Sequence, residues 1–372
     1  MDFDLTEEQE QLRASVRAVL ERESPRARAR EVVETGAPAK QPWQSAVDLG
    51  WTAINVPERF GGLGLGAIEV ALVVEEHGRA LAPGPYLATV SQFAPALRAA
   101  GSEAQQERFL GAVASGDIAG TLAVAGPAGL RQPPDASLRA RPDGEAWILD
   151  GVRNFVVDGD CADEIAVAAS VDCGDGVGLF VAPRDAARSE RLASLDATRS
   201  LATLHFEAAR IEPDRVLGEP GRGAEALRRT LEEATVALAT EITGTCQTLF
   251  DATLDYAKHR EQFGRPIGSF QAIQHRFADM FIAIEKARAT CLFAAMTLAE
   301  DDPRRGLAAS MAKVAAGDGQ RLLAKEAIQI HGGIGYTWEH DVHLLVKRIK
   351  AGDALFGTAA EHRARIAERL GL

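Results

Sequence analysis

Cysteine is scarce, four residues in 372. Cys161, Cys173, Cys246 and Cys291 show neither metal nor redox spacing, so they read as reduced core or surface thiols. Basic residues are in deficit, 41 Lys and Arg against 53 Asp and Glu, for a formal net charge of −12. That balance argues against nucleic acid as a standing partner. No apolar run is long enough to cross a bilayer, and no basic-then-apolar leader or lipidation signal stands in the chain, so the expectation is a cytoplasmic protein with no membrane partner. The absence of a GxSxG elbow and of a P-loop removes the commonest hydrolase and nucleotide-hydrolysis readings. His340 and His343 stand three apart with no third ligand at a suitable spacing, and no metal site is expected.

What is present divides by pattern into three stretches. Residues 1–115 are helical: Thr6 can cap a first helix carrying Leu12, Val16 and Leu20, with Glu7, Glu8 and Glu10 in the first turn, where the helix dipole favours them. Gly61, Gly62, Gly64 and Gly66 form a loop before an amphipathic helix. On that helix Glu75 and Glu76 are adjacent and face different directions, so they read as a solvated face and not as a carboxylate pair. Residues 116–217 change to short β-rich runs, with Asp143-Gly144, Asp150-Gly151 and Asp158-Gly159 as turn signals. Residues 218–372 return to long helices of the kind that pack as a four-helix bundle and offer a face for oligomerisation. The fold class is α+β.

Two stretches carry the chemistry. Tyr256 to His275, YAKHREQFGRPIGSFQAIQH, joins two helical patterns through a corner broken by Gly264, Pro266 and Gly268. It fixes Arg260, Gln262, Phe263 and Gln271 in order. The second, Ala327 to Tyr336, reads AIQIHGGIGY after a long helix. Together they resemble the acyl-CoA dehydrogenase family, and the likeness extends to LGWTAINVPERFGGLGLGAIEVALVVEEHGRALAPGPY at 49–86 and to DATRSLATLHFE with Arg199 and Ser200. The resemblance implies an amino-terminal helical domain, a middle β-barrel-like domain and a carboxyl-terminal four-helix bundle. It also implies FAD as cofactor, an acyl-CoA thioester as substrate and an electron-transferring flavoprotein as acceptor. Arg260, Gln262, Phe263 and Gln271 would meet the flavin diphosphate half, a group that guanidinium hydrogen bonds suit; Gln329 and the backbone at Gly332 and Gly333 would approach the adenosine and diphosphate.

The implied chemistry is α,β-desaturation, in which a carboxylate takes the α-proton while the β-hydrogen leaves as hydride. Here the chain departs from the family. The glutamate that many members place before a Gly-Thr is Phe356 in Leu355-Phe356-Gly357-Thr358, and the alternative position on the helix before the arginine corner is Ala234. The nearest carboxylates are Glu233, Glu241 and Asp353. Glu241 is the tentative base, against the rival reading of a buried glutamate paired with an arginine or a helix dipole. On the flavin-ring side, Ala123-Val124-Ala125-Gly126-Pro127 replaces a Thr-Glu-Pro-like segment and Phe155-Val156-Val157 loses a threonine hydroxyl; Thr358 survives. In family dimers one subunit covers the flavin ring while its neighbour lends the arginine corner and the glutamine-glycine segment. This chain keeps the lent half and has lost much of the other. The expectation is therefore one subunit of a heteromeric dimer or tetramer, of the sort that acts on fatty or bulky acyl-CoAs such as steroid side chains in β-oxidation. Two alternatives stay open, a homomeric dehydrogenase using Glu241 and an acyl-thioester-binding flavoprotein or flavin oxygenase of the same fold.

Overall fold

The computed structural model describes residues 3–24, 26–36, 41–130, 135–171 and 176–372; Cys173 lies outside them. Helices come first: α1 (Glu7–Glu23), α2 (Arg26–Thr35), α3 (Gln41–Asp48), α4 (Ala67–Ala80), α5 (Tyr86–Ala88), α6 (Ala94–Ala100) and α7 (Glu103–Ser115). The Thr6 hydroxyl accepts from the Gln9 amide while the Gln9 side chain returns to the Thr6 amide, a capping box that begins α1. Strands follow as β1 (Gly120–Ala123), β2 (Leu138–Asp143), β3 (Ala146–Val157), β4 (Glu164–Val171), β5 (Gly176–Pro183), β6 (Arg188–Arg191), β7 (Leu201–Ile211) and β8 (Val216–Gly221). Strand structure thus runs to Gly221, a few residues past the change expected at 217. After α8 (Ala224–His259) a hairpin of β9 (Glu261–Gln262) and β10 (Arg265–Pro266) leads to α9 (Gln271–Ala299), α10 (Arg305–His331), α11 (Val342–Ala354) and α12 (Ala359–Arg369).

The chain forms two compact units, one of Met1–Pro38, Ala71–Pro83 and Thr235–Leu372, the other of Ala39–Val70 and Gly84–Ala234. In the second unit the sheet order is β6-β7-β3-β2-β4-β5-β8, with β1 parallel to β4. Side chains alternate across β4 and β5. Ala166, Ala168, Leu179 and Val181 face a core with Phe93, Leu97, Phe109 and Leu110 of the helical region, while Ile165, Val167, Phe180 and Ala182 face one with Leu149, Leu204 and Phe206 from β3 and β7. Both faces are buried, which is why these strands read as continuous apolar runs. Asp143-Gly144 makes the β2–β3 turn, with Asp143 paired to Ala146. Asp150-Gly151 does not make a turn: it lies inside β3 at a register shift against β7, where Gly151 has φ +131° and an added Cβ would strike the Ser137 carbonyl.

In the first unit α4 packs closely on α8. An added Cβ on Gly78 would meet the Glu241 carbonyl, and one on Gly244 the Glu75 carbonyl; Thr245 Oγ1 donates to Gly78 O at 2.9 Å. This crossing overturns the solvated reading of Glu75 and Glu76. Glu76 is 1% exposed and takes a bidentate contact from Arg17 of α1, at 2.9 and 2.7 Å. Glu75, also buried, accepts from Arg288 Nε of α9 at 2.9 Å. The two carboxylates do face different ways, each toward its own arginine on a different helix. Among the described residues no helix is long and apolar enough to cross a membrane. Cys246 and Cys291 are buried free thiols and Cys161 is half-buried.

Candidate functional site

The arginine corner is built by the end of α8. Arg260 N donates to Tyr256 O and Ile267 N to Arg260 O, both at 2.8 Å, so the chain turns back immediately after the helix. The β9–β10 hairpin follows, its tip formed by Phe263 at φ +54° and Gly264 at φ +78°. A phenylalanine in the left-handed region is strained, and its ring is 93% exposed apart from an edge contact with Phe270 at 6.2 Å. Arg265 lies over Phe270, its guanidinium 4.2 Å from the ring centre, on the other side of the hairpin. Arg260, Gln262 and Gln271 are exposed.

The second segment ends α10. Gln329, Gly332 and Gly333 are likewise exposed. Gly332 closes the helix at φ 63°, ψ −140°, a conformation that disfavours side chains. Added Cβ atoms on Gly332 and Gly333 would meet nothing within 4 Å. The structure brings the two segments together through residues that sequence pattern did not single out. The Tyr256 ring, one turn before Arg260, stacks on His331, beside Gly332, at 4.4 Å between centroids and 23° between planes, and Tyr256 Oη donates to His331 O at 3.4 Å. His331 is fixed in turn. Its Nδ1 must be the donor to the Ala327 carbonyl at 2.8 Å, which leaves Nε2 a bare acceptor, buried without a hydrogen-bond partner. Burial holds this imidazole below the usual histidine range. His340 meets the His331 ring edge-on at 4.8 Å, and His343 stacks on Trp338 at 4.7 Å. Among the described residues no group of three or more His, Cys, Asp or Glu is placed to hold a metal ion. The corner and the glycine segment therefore offer a guanidinium, three carboxamides and open glycine backbone on two segments tied by the Tyr256–His331 contact, a donor set suited to an extended polyanion.

The proposed base positions look different. Ala234 is buried in α8. Phe356 sits in the turn after α11 at φ +57°, followed by Gly357 at φ +100°. Thr358 caps α12: its Oγ1 accepts from the Glu361 amide at 3.3 Å and donates to Glu361 Oε2 at 3.0 Å, so its one hydroxyl proton is already used. Glu241 Oε1 lies 3.6 Å from Arg348 Nη1 with both side chains buried, and Arg348 also donates to Ala82 O at 3.3 Å. Glu233 is held by Arg98 in a short contact. Asp353 faces α10, where an added Cβ on Gly317 would stand 2.6 Å from its Oδ1. In the sheet, Phe155 occupies a bulge at φ +56° and is partly exposed. Val157 is buried, with its carbonyl taking the Thr121 hydroxyl at 2.5 Å, and Asn154 N donates to Ala125 O at 2.8 Å. Ser200 Oγ donates to Asp160 at 2.5 Å, and Arg199 is buried.

The comparisons with known proteins agree along the chain. A family model described as acyl-CoA dehydrogenase, N-terminal domain, matches residues 6–117, and one described as acyl-CoA dehydrogenase, C-terminal domain, matches residues 221–371. Human mitochondrial short-chain specific acyl-CoA dehydrogenase is 32% identical over 333 residues, covering 87% of this chain and 80% of that protein. The crystal structure of the ChsE4–ChsE5 complex from Mycobacterium tuberculosis superposes with a TM-score of 0.91 at 29% identity, covering 100% of this chain and 99% of that one. A variant of the Tcur3481–Tcur3483 steroid ACAD does so with a TM-score of 0.87 at 30% identity, covering 98% of each. With both terminal regions matched and a relative above 30% identity along most of its length, the chain belongs to the acyl-CoA dehydrogenase family, whose cofactor is FAD.

Proposed function

We propose that this chain is one subunit of a heteromeric acyl-CoA dehydrogenase, lending its arginine corner and glutamine-glycine segment to a flavin whose ring and general base belong to a partner chain. One observation carries the reading. Arg260, Gln262, Phe263, Gln271, Gln329, Gly332 and Gly333 are all exposed on this chain's own surface, while its own base positions hold Phe356 and Ala234, neither of which can accept a proton. The lent half is complete and the catalytic half is not.

In this reading FAD, when bound, supplies the acceptor for the hydride that leaves the β-carbon. Arg260 would neutralise the diphosphate with bidentate hydrogen bonds, with Gln262 and Gln271 beside it, while Gln329 and the Gly332 and Gly333 amides, with no side chain in the way, would meet the adenosine and diphosphate. Phe263, at the hairpin tip, would meet the same diphosphate half. Thr358 keeps its cap and has only an acceptor lone pair to offer. The Glu241–Arg348 pair weighs against a relocated base, because that carboxylate is already engaged by a buried guanidinium. The substrate class we assign is a bulky acyl-CoA, such as one with a steroid side chain; similarity to the ChsE4–ChsE5 complex and to the Tcur3481–Tcur3483 steroid ACAD supports both the heteromer and this class. In the same reading an electron-transferring flavoprotein is the acceptor, and 1–115, 116–217 and 218–372 are the domains of this chain.

The test is flavin per chain and oligomeric state, measured on the chain alone and after co-expression with a neighbouring dehydrogenase-like gene. A colourless chain that becomes a yellow complex with one flavin per pair is the expected result. One FAD per chain in a homo-oligomer would overturn it.

A further inference from the structure

Lys313 lies in the middle of α10 and is 0% exposed. Its Nζ donates to the carbonyls of Gly352 and Asp353 at 3.0 Å and of Leu355 at 2.8 Å. These belong to the end of α11 and the residue after it, where carbonyls lose their intrahelical partners and the helix dipole favours a cation. The cap comes from another helix, so it ties the start of the Leu355–Thr358 turn to α10.

The same turn is held at two further points. His362 Nε2 lies 3.0 Å from the Phe356 carbonyl. A carbonyl only accepts, so Nε2 carries the proton, and burial keeps this imidazole neutral, its pKa lowered to about 4. Downstream, the capping box between Thr358 and Glu361 fixes the last residue. Three separate restraints thus act on four consecutive residues, and between them a bulky aromatic is kept at φ +57°, a conformation phenylalanine would not choose. The conformation therefore belongs to the framework and not to the residue at 356.

We propose that Lys313 is a positioning residue of the Leu355–Thr358 turn, and that it keeps the turn in a base-presenting conformation although Phe356 stands in the base's place. The inference rests on the proposed function in taking 356 as this chain's vacated base position. It follows that a carboxylate introduced there, by Phe356→Glu, is held where a base would act. The Cα–H bond of a bound acyl-CoA breaks, the proton forms an O–H bond on the carboxylate, and the electron pair enters the thioester enolate; in heavy water the reverse step returns a deuteron to Cα. The exchange is redox-neutral and needs no acceptor.

The experiment uses the full chain in its flavin-loaded assembly, with the partner's own general base replaced by glutamine so that it contributes no exchange, and octanoyl-CoA as probe in heavy water. Phe356→Glu is expected to raise α-deuterium incorporation at least about tenfold over the parent, and Phe356→Glu combined with Lys313→Gln to lose that gain while flavin content stays level, even where the melting temperature falls. A merely structural lysine would not separate those readouts. In the otherwise unchanged chain, Lys313→Met should speed amide hydrogen exchange across residues 356–361 at least about tenfold. Where Lys313→Met does not fold, Lys313→Gln, which keeps two donors without the charge, gives a smaller change in the same direction. Unchanged exchange at 356–361 in the lysine variants overturns the positioning role, and no deuterium gain in Phe356→Glu overturns the base-presenting turn. Amide exchange does not depend on flavin, whereas flavin per chain reads the proposed function, so the two can fail separately.

Discussion

Tyr256 and His331 stack at 4.4 Å, and this contact joins the end of α8, one turn before Arg260, to the end of α10, just before Gly332. An aromatic pair contributes about 0.5–1.5 kcal/mol beyond area burial. Tyr256→Ala should therefore weaken FAD retention by up to roughly tenfold, with Tyr256→Phe close to the parent because only the long Oη contact of 3.4 Å is lost. FAD titration of the flavin-stripped assembly, followed by fluorescence, checks it; equal affinities for the alanine variant and the parent would separate the stack from the site.

Arg260→Lys should not rescue what Arg260→Ala removes. The lysine keeps the charge but not the planar fork that pairs two oxygens at once. Both variants are expected to lower flavin content of the partner-bound assembly, with turnover per bound flavin preserved. Unchanged flavin content and turnover in Arg260→Ala would sink the lending role.

Arg17→Ala leaves the Glu76 carboxylate, 1% exposed, without its bidentate partner, and Arg79 at 3.5 Å replaces only part of it. Stranding one member of a fully buried pair costs about 3–5 kcal/mol; Arg17 is 40% exposed, so the loss here is smaller, and removing both charges together is milder still. Urea unfolding should show Arg17→Ala well below the double variant Arg17→Met with Glu76→Leu. The reverse order would mean that the pair is solvated after all.

Acid should destabilise the fold through two buried histidines. Burial lowers His77 and His362 to about 4, against an unfolded value of about 6.5. Between those values the unfolded chain binds protons that the folded chain refuses, so stability falls as pH drops from 6.5 toward 4 and neither residue contributes above that window. Each accounts for about 3 kcal/mol across it. Comparing urea unfolding near pH 7 and near pH 4.5, His77→Gln should lose a visible part of the pH dependence; an identical slope would show that other groups carry it.

Much of this was legible in the sequence because it is written locally. The Thr6 cap and the Gly264, Pro266 and Gly268 breaks are short-range signals: Thr6 caps α1, and the three breaks lie between α8 and α9. Glu75 and Glu76 were misread because a helix pattern does not say how many neighbours surround it; two arginines, one from α1 and one from α9, bury both carboxylates. Asp150-Gly151 has turn chemistry but serves a bulge, since glycine satisfies either demand. Tyr256 was in view without a role, because its partner lies 75 positions away. Lys313 had one faint signal, a lone cation within the small apolar run AASMAKVAAG of α10.

The helix glycines give a last and sharper test, because propensity and packing oppose each other there. Gly to Ala inside a helix ordinarily gains about 0.5–1 kcal/mol. At Gly319 of α10 the nearest atom to an added Cβ is the Ala283 carbonyl oxygen at 3.6 Å, an ordinary contact, so Gly319→Ala should stabilise by about that amount. At Gly244 the added methyl would overlap the Glu75 carbonyl of α4, which is backbone in a packed helix and cannot swing aside. Overpacking of this kind costs about 1–3 kcal/mol, enough to reverse the propensity gain and to part α4 from α8 where Glu75 and Glu241 are held. Thermal unfolding of the two single variants should move in opposite directions, and a stabilised Gly244→Ala would show that α4 and α8 do not cross this closely.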